Sequence, residues 1–377
     1  MQNVHVLRKV EHIEICLRND VISWNNCKYL FEEIMLIHQA LPGVSYSEVD
    51  LSTEFLGYIL KAPLVIEGMT GGYQQAGSIN EKLAKLANEF GIAIGVGSQR
   101  PVLLSNFERA VVDTYRVVRE NAPDVPVIGN VGVTELRSLN TELVRKLVES
   151  IEADALAIHL NPAQELIQPE GNKNFKFDLI RKVEEIVRDL GIPVIIKEVG
   201  NGLSIEVVKK FHEIGVRIFD VAGSCGTDWI KIEAYRNDQN SLMRRVGLAL
   251  SESNWGIPTP LSLIEARFAS PEATIIASGG IWNGIYAAKV IALGADLVGF
   301  ARPILKALLE SGYEGAKKYL ETYLSELRSV VYLTGAARVK DLRYRPLVLG
   351  PRIVNYLVMR NIDVSEYLGK IRQGAVL

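Results

Sequence analysis

Apolar residues recur along the chain in short runs, and amphipathic stretches separate most of these runs. Eight runs have the length and apolar character of buried parallel strands: Pro63–Glu67, Ile92–Val96, Val127–Val131, Ala155–His159, Val194–Glu198, Val216–Val221, Thr274–Ala277 and Asp296–Phe300. Helical spacing is present in Ser78–Glu89, Asn106–Glu120, Thr141–Glu152, Asp178–Asp189 and Ile205–Glu213. Successive strands are mostly about 20–40 residues apart, as a β-α repeat requires. Eight such units predict an α/β protein with a (β/α)₈ TIM barrel. A doubly wound open sheet is the alternative, but it does not require eight units.

The repeat also divides the chain. Residues 1–60 precede it and are expected to form an N-terminal arm, residues 61–310 form the barrel, and residues 311–377 form a C-terminal helical cap or subunit contact. With no low-complexity linker in between, a single domain over residues 1–377 is expected. The interval from Gly223 to Pro271 is too long for one connection, so it should hold a helix and an insertion over the barrel mouth.

Composition narrows the classes of partner. The formal net charge is −2 and 48% of the residues are hydrophobic, which favours a large core and suggests neither a nucleic acid nor a membrane as partner. No apolar stretch approaches the roughly 20 residues of a membrane span, and the charged N-terminus shows no signal peptide. Cys16, Cys27 and Cys225 have no metal-site spacing and predict no disulfide framework, which fits a cytoplasmic protein.

The last two predicted strands each end in a turn suited to phosphate. Ser278-Gly279-Gly280 follows one strand, and Ala301-Arg302-Pro303 begins a helix after the other. In (β/α)₈ barrels the loops after the seventh and eighth strands frequently form a phosphate site. An ordinary βαβ unit with tight turns is the alternative interpretation.

Glycine and polar residues also gather at the other strand ends. Gly71 and Gly72 allow a close backbone approach to a flat ring, Asn130 offers a donor and an acceptor, and Lys197 can place positive charge beside a ring that becomes anionic on reduction. A flavin mononucleotide (FMN) unites these demands. The candidate cofactor residues are Met69, Thr70, Gly71, Ser98, Asn130, Lys197, Ser224, Thr227, Gly279, Gly280, Ala301 and Arg302. A structural salt bridge with Glu198 or Asp220 is the alternative for Lys197, and a small packing residue is the favoured interpretation of Cys225.

A second set of cationic and donor groups suits a second anion. The candidates are Arg8, Lys9, Ser98, Gln99, Arg100 and His159. Gln164, Glu165 and Glu233 are expected nearby, and a carboxylate facing phosphate groups needs Mg²⁺ between them. The alternatives are a solvated terminal arm for Arg8 and Lys9 and an acid on a helix surface for Glu233.

Together these motifs resemble the type 2, flavin-dependent isopentenyl diphosphate isomerases. The matching stretches are Arg8-Lys9 with Glu11-His12, Met69 to Gly72, Gly97 to Arg100, Asn130 to Gly132, His159 to Glu165, Lys197 to Gly200, Asp220 to Trp229, and Ser278 to Gly280. They occur in family order across the whole barrel. Cys225 departs from the family pattern, which usually has a glycine there, and Arg302 stands where the family usually has an apolar or small residue.

The resemblance implies a TIM barrel enzyme that interconverts isopentenyl and dimethylallyl diphosphate with reduced FMN, Mg²⁺ and NADPH or NADH as reductant. It implies a diphosphate substrate held by Arg8, Lys9, Ser98, Gln99, Arg100, His159, Asn161 and Gln164, and a homo-oligomer, either a tetramer or an octamer. Gln164 would orient the hydrocarbon, Glu165 would hold Mg²⁺, and Trp229 and Glu233 would close the site. Two alternatives remain: another FMN barrel enzyme, such as a 2-hydroxy-acid oxidase or a dihydroorotate-type dehydrogenase, and a flavin-storing or scaffold barrel without activity.

Overall fold

A computed structural model describes residues 2–23 and 27–373 of the chain. Parts of the predicted arm (residues 1 and 24–26) and of the predicted cap (residues 374–377) therefore lie outside the described residues. The strands are β1 (Ile34–Leu36), β2 (Thr53–Phe55), β3 (Tyr58–Leu60), β4 (Leu64–Ile66), β5 (Ala93–Gly95), β6 (Val127–Gly132), β7 (Ala155–His159), β8 (Val194–Lys197), β9 (Ile218–Asp220), β10 (Thr274–Ser278), β11 (Leu297–Phe300) and β12 (Leu347–Leu349). The longer helices are α1 (Gln2–Cys16), α2 (Lys28–Glu32), α3 (Gln74–Phe90), α4 (Arg100–Leu104), α5 (Arg109–Asn121), α6 (Thr141–Glu149), α7 (Pro162–Ile167), α8 (Asp178–Asp189), α9 (Ile205–Glu213), α10 (Trp229–Arg236), α11 (Leu242–Glu252), α12 (Thr259–Ala269), α13 (Gly284–Ala292), α14 (Arg302–Leu333), α15 (Pro351–Met359) and α16 (Val364–Gln373).

Strands β4 to β11 form a closed parallel barrel, and β11 pairs with β4 to complete it. All eight predicted strands lie in this barrel, so the (β/α)₈ prediction is confirmed and the open sheet is wrong. Each barrel strand is followed by helical structure that packs outside, which is the arrangement that buries an apolar strand on both faces.

The interior of the barrel is filled by apolar side chains and closed at one end. Val65, Ile128 and Ile195 pack there with Phe55 and Leu60 of the β2–β3 hairpin. This hairpin covers the amino-terminal ends of the strands, where the Tyr58 hydroxyl donates to Asp154 just before β7 at 3.0 Å. Within residues 2–23 and 27–373, the barrel therefore opens at the carboxyl ends of its strands.

Side-chain hydrogen bonds explain where two of the outer helices begin. The Asn283 and Ser204 side chains accept hydrogen bonds from the backbone N–H groups of Tyr286 and Val207, so they cap α13 and α9. The predicted helices α8 and α9 match the structure at both ends. Helix α5 begins later than predicted, because Asn106 and Phe107 adopt φ angles of 51° and 62° that a right-handed helix does not allow.

Additional segments cover the open end and the outside of the barrel. The interval between Gly223 and Pro271 holds α10, α11 and α12, which confirms the expected insertion. Helix α1 lies over the mouth, where its side chains line the central cavity. The small antiparallel pair β1–β12 joins the N-terminal segment to the C-terminal helices. Within residues 2–23 and 27–373, no helix is both long and apolar enough to cross a membrane.

Candidate active site

A cavity of about 220 Å³ lies at the carboxyl ends of the barrel strands, beneath α1. Most of the residues predicted for the site line it: Arg8, Lys9, Met69, Ser98, Arg100, Asn130, His159, Asn161, Gln164, Glu165, Lys197, Thr227, Trp229, Gly279, Gly280, Ala301 and Arg302. These residues come from α1 and from the ends of strands all around the barrel. The sequence pattern thus located the cavity.

Five predicted residues do not line the cavity: Thr70, Gly71, Gln99, Ser224 and Glu233. The Gln99 amide is buried in the barrel wall, where Nε2 donates to the Leu147 carbonyl and Oε1 accepts from the Asn130 N–H. Position 71 requires a glycine for a different reason than expected. A Cβ there would overlap the ring of Tyr115, so the flat ring that packs against this backbone is a side chain of the protein. Glu233 is fully buried directly behind the cavity wall.

The floor of the cavity carries one cation between two acids. Lys197 Nζ lies 2.8 Å from Asp220 Oδ2 and 3.6 Å from Glu67 Oε2, and it donates to the Glu198 carbonyl. Burial alone would lower the pKa of Lys197, but the carboxylates of Asp220 and Glu67 outweigh burial and hold it above its usual value. The salt bridge with Asp220, which was the alternative interpretation of Lys197, therefore exists, and the lysine also lines the cavity.

Two glycine turns meet at one side of the cavity. Gly279 and Gly280 follow β10 with φ angles of 97° and 81°, which favour glycine. A Cβ on either would overlap the carbonyl oxygen of Gly223 or Cys225, so the turns after β9 and β10 pack backbone against backbone. The Thr259 hydroxyl donates to the Gly279 carbonyl at 2.5 Å and fixes the pair. Successive backbone N–H groups in glycine turns of this kind can bind an anion.

The cysteines depart from expectation beside these turns. Cys27, which precedes α2, forms a disulfide with Cys225, and both are fully buried. The expectation of no disulfide is therefore wrong. A sequence separation of 198 gave no spacing signal for this pair.

Arg302 has partners that the sequence did not indicate. Its guanidinium donates to the carbonyls of Cys16, Leu17 and Arg18 at 2.6, 3.3 and 3.1 Å. These carbonyls end α1, where a cation is favourable. A phosphate contact by Arg302 would compete with these hydrogen bonds.

Cationic groups occupy the side of the cavity that faces α1. Arg8 and Lys9 are each 7% exposed, so the solvated-arm alternative does not describe them. Arg8 pairs with Glu170 at 3.6 Å, and Arg100 pairs with Glu135 at 3.3 Å. Among the described residues, Arg8 Nε has no hydrogen-bond partner. Burial and the neighbouring Arg8 lower the pKa of Lys9 to about 7.

His159 stands among these cations as a neutral imidazole. Burial, with Lys197 and Lys9 nearby, lowers the pKa of His159 to about 3. The Asn130 amide donates to the Val96 carbonyl at 3.1 Å, so its oxygen faces His159 Nδ1 at 2.8 Å. Nδ1 therefore carries the proton and donates it to Asn130, and Nε2 is left as an acceptor.

A buried hydrogen-bond network connects α1 to the opposite wall. Glu233 Oε1 is 2.8 Å from His12 Nε2 and accepts from Gln164 Nε2 at 2.9 Å, while Oε2 accepts from Arg236 at 2.7 Å. Burial opposes ionisation of Glu233, but these hydrogen bonds hold its pKa below the usual value. The Trp229 and His12 rings meet edge to face with centroids 5.1 Å apart.

Glu165 lies in the same cavity, with a different set of partners. Its carboxylate accepts hydrogen bonds from the Asn172 backbone and from the Asn161 amide. Burial raises the pKa of Glu165, and the nearby Glu135 carboxylate raises it further. The hydrogen bond from the Asn172 backbone acts in the opposite direction and lowers it. The described residues contain no group of three or more His, Cys, Asp or Glu side chains placed to hold a metal. A cation beside Glu165 would need most of its ligands from another molecule.

The cavity is also lined by titratable residues that were not predicted for the site, among them His12, Glu67 and Glu135. His12 could have been selected with Arg8, because residues four apart share one helix face. Glu67 could have been noticed as an acid that directly follows an apolar strand. Glu135 gave no signal, since its position depends on the turn after β6.

Comparison with known proteins agrees with this geometry. Residues 152–348 match the family model of FMN-dependent dehydrogenases. The isopentenyl-diphosphate delta-isomerase of Sulfurisphaera tokodaii is 41% identical over 369 residues, covering 97% of this chain and 98% of that protein. The isopentenyl-diphosphate delta-isomerase of Rickettsia bellii is 44% identical over 339 residues, covering 90% of this chain and 96% of that protein.

Solved structures agree on the fold. A crystal structure of mandelate oxidase superimposes with a TM-score of 0.63 at 17% identity, covering 90% of this chain and 95% of that chain. At this identity the likeness concerns the barrel alone, whereas the curated relatives match along nearly the whole chain. On that evidence, the chain belongs to the isopentenyl-diphosphate delta-isomerase family, of the flavin-dependent type 2.

Proposed function

We propose that the protein interconverts isopentenyl diphosphate and dimethylallyl diphosphate, and that it requires reduced FMN and Mg²⁺. The observation that supports this best is the pairing of two anion sites in one cavity. Glycine turns at Gly279 and Gly280 form one site, and Arg8, Lys9 and Arg100 provide the other. An FMN enzyme that acts on a small carboxylate has no need for three additional cations.

The residues present fit FMN. Close backbone packing at the glycine turns leaves a cradle for its phosphate, and Thr227 lines the same side of the cavity. Lys197, Asn130 and Met69 line the part of the cavity proposed for the ring. When bound and reduced, FMN supplies an electron-rich ring that can exchange a proton with the allylic system. NADPH or NADH is the proposed reductant.

The diphosphate is proposed to lie under α1. The unpartnered Nε of Arg8 and the partly neutral Lys9 are suited to gain an anionic partner, which would restore the full charge of Lys9. Glu165 would contribute one carboxylate oxygen to Mg²⁺, and the diphosphate and water would contribute the rest, as is usual for this ion. Ser98 and Asn161 line the same wall.

The Gln164–Glu233–His12 network is proposed to orient the hydrocarbon. Glu233 accepts from Gln164 Nε2, so the amide plane of Gln164 is fixed at the cavity wall. With α1 in place, Trp229 and His12 exclude water from that region. A proton donor must lie within hydrogen-bond reach of the carbon it serves, and this closed wall keeps the substrate in one position.

The test is an anaerobic assay of the purified protein with FMN, NADPH, Mg²⁺ and isopentenyl diphosphate. We expect dimethylallyl diphosphate as the product, with no net consumption of NADPH once the flavin is reduced. Stoichiometric NADPH consumption or oxidation of a 2-hydroxy acid or dihydroorotate would favour the alternative oxidoreductase. FMN retention without any turnover would favour a flavin-storing barrel.

By resemblance, we further propose a homo-oligomer, a tetramer or an octamer, in the cytoplasm. Met359 on α15 and Val348 on β12 are exposed apolar residues near the C-terminus, which is consistent with a subunit contact there. Sedimentation of the purified protein would test this assembly, and a monomer at micromolar concentration would contradict it.

A further inference from the structure

Glu67 is an acid that the proposed chemistry does not yet use. It directly follows β4, its side chain is 12% exposed, and it lines the cavity beside Lys197. Oε2 lies 3.6 Å from Lys197 Nζ, and the carboxyl group is also within hydrogen-bond reach of Asp220. Oε1 is buried and has no hydrogen-bond partner among the described residues.

The neighbouring strand is adapted to this carboxyl group. A Cβ on Gly299 of β11 would overlap Glu67 Oε1 and would lie 2.8 Å from the Cβ of Ser278. Oε1 therefore occupies space that only a glycine leaves open. The backbone of Gly299 does not require glycine for its own conformation, since its φ is not among the positive values. The carboxyl group is consequently a fitted part of the cavity floor.

Lys197 cannot neutralise both of its acidic neighbours. Asp220 has the stronger set of partners, because it lies 2.8 Å from Lys197 Nζ and accepts from Ser278 Oγ at 2.5 Å and from the Ala222 N–H at 3.3 Å. Asp220 is therefore the closer ion-pair partner of Lys197. Burial and the Asp220 carboxylate raise the pKa of Glu67 to about 8, against the opposing effect of Lys197.

Two further titratable groups lie beside Lys197, and neither supplies a partner for Glu67. The Glu198 carboxylate is held by the N–H groups of Val199, Gly200 and Asn201 at 2.6–2.7 Å, and burial raises its pKa to about 7. His159, which pairs with Lys197 across β7 and β8, is a neutral imidazole. Glu67 is thus the group on the floor with an unused polar atom.

We propose that Glu67 is a neutral carboxylic acid at neutral pH beside the site of the flavin ring, so that its ionisation weakens the binding of reduced flavin. This inference rests on FMN occupying the cavity but not on isomerase activity. With Glu67 neutral, the positive charge of Lys197 is balanced by the carboxylate of Asp220 at 2.8 Å.

The charge balance gives a measurable consequence. Reduction of the flavin takes up two electrons and one proton and leaves the ring with one negative charge. An ionised Glu67 would add a second negative charge to the same buried site. Repulsion between two like charges in a buried site is worth about tenfold or more in affinity. Above the pKa of Glu67, reduced flavin should therefore bind less tightly relative to oxidised flavin.

The test measures the dissociation constants of oxidised and reduced FMN at pH 6 and pH 9, in wild type and in Glu67→Gln. Between pH 6 and pH 9, the ratio of the dissociation constant of reduced FMN to that of oxidised FMN should rise in wild type. The rise should be about tenfold larger than in Glu67→Gln, whose side chain at position 67 cannot ionise. Glu198→Gln is the matched control, since it also removes a buried acid beside Lys197, and the part of the rise that depends on Glu67 should remain in it. Equal ratios in wild type and Glu67→Gln, or loss of the rise in Glu198→Gln, would overturn the proposal.

A second measurement does not depend on the folding of Glu67→Gln. The infrared difference spectrum of the Glu198→Gln holoprotein between pH 6 and pH 9 should lose the C=O band of a protonated carboxyl group, and the same loss should be part of the wild-type spectrum. Absence of that band at pH 6 would also overturn the proposal. Because neither measurement uses isopentenyl diphosphate, failure of the isomerase proposal would leave this result intact, whereas a protein that retains no FMN would refute the cofactor itself.

Discussion

His12 Nε2 lies 2.8 Å from Oε1 of Glu233, and this contact joins the N-terminal helix to the wall of the barrel mouth. His12 lies in α1 and Glu233 in α10, 221 residues later in the chain. The Glu233 side chain is fully buried, so its negative charge depends on the three donors around it. The position of α1 over the cavity is therefore linked to the ionisation of one carboxylate.

Removal of His12 should shift the acid limb of the activity profile. His12→Ala deletes a donor to Glu233, so the pKa of Glu233 should rise and activity should be lost at a higher pH than in wild type. A pH profile of kcat/KM with isopentenyl diphosphate measures the shift. His38→Ala, at an exposed site, is the control and should leave the profile unchanged. If the two variants behave alike, His12 does not control the charge of Glu233.

Loss of the Arg8 guanidinium should weaken substrate binding and spare the cofactor. Hydrogen bonds to charged groups contribute about 1.5–3 kcal/mol, so Arg8→Ala should raise the KM for isopentenyl diphosphate roughly ten- to a hundredfold. The affinity for FMN should hardly change, because Arg8 belongs to α1 and not to the glycine turns proposed for the FMN phosphate. Arg18→Ala removes a largely exposed arginine of the same segment and should leave KM unaltered. Wild-type kinetics in Arg8→Ala would return this residue to a structural role.

Binding of the diphosphate should take up a proton at mildly alkaline pH. The pKa of Lys9 is lowered to about 7 by burial, so at pH 8 most molecules carry a neutral Lys9 until an anion raises its pKa. At pH 6 Lys9 is already charged and the uptake should vanish. Calorimetric titration in two buffers with different ionisation enthalpies counts the protons. In Lys9→Met, the number of protons taken up should be the same at pH 6 and at pH 8. If this variant instead takes up as many protons at pH 8 as wild type does, the uptake belongs to another group.

Glu165 should set the Mg²⁺ requirement. With Glu165→Gln, we expect a higher Mg²⁺ concentration for half-maximal rate, because a neutral amide is a weaker ligand than a carboxylate. Glu135→Gln, which removes an acid from the same cavity, is the control and should leave the Mg²⁺ dependence near that of wild type. A collapse in rate with unchanged Mg²⁺ dependence would make Glu165 an acid or base instead.

The disulfide should contribute measurably to stability. Cys27 and Cys225 are 198 residues apart in the chain, and the chain-entropy relation gives about 5 kcal/mol for a loop of that length. Reductant should therefore lower the unfolding temperature of wild type but not that of Cys27→Ser. Cys16→Ser keeps the disulfide and should respond to reductant as wild type does. If reductant has no effect on wild type, the two thiols are not joined.

The barrel could be predicted from sequence because each strand is an apolar run and each run is short. The cavity could be predicted because polar residues at the strand ends of a parallel barrel must converge at one face. What the sequence could not provide was the direction of individual side chains. Gln99 turns into the wall, and Arg302 turns towards the end of α1.

Contacts between distant segments were equally hidden. The pairing of Cys27 with Cys225 and of His12 with Glu233 depends on how the N-terminal segment crosses the mouth, and no local pattern encodes that path. Glu67 was overlooked for a related reason. Its significance depends on the glycine at position 299, which belongs to the last strand of the barrel and adjoins Glu67 only after the barrel closes.

The β2–β3 hairpin, which covers the amino-terminal end of the barrel, constrains the order in which ligands can bind. Because the barrel is closed at that end, ligands enter at the carboxyl end, which α1 covers. A ligand held by Arg8 and Lys9 is therefore the outer occupant, and whatever the floor holds is the inner one. The outer occupant must arrive last and depart first, so the inner one can be exchanged only in molecules from which α1 has lifted and the outer site has emptied.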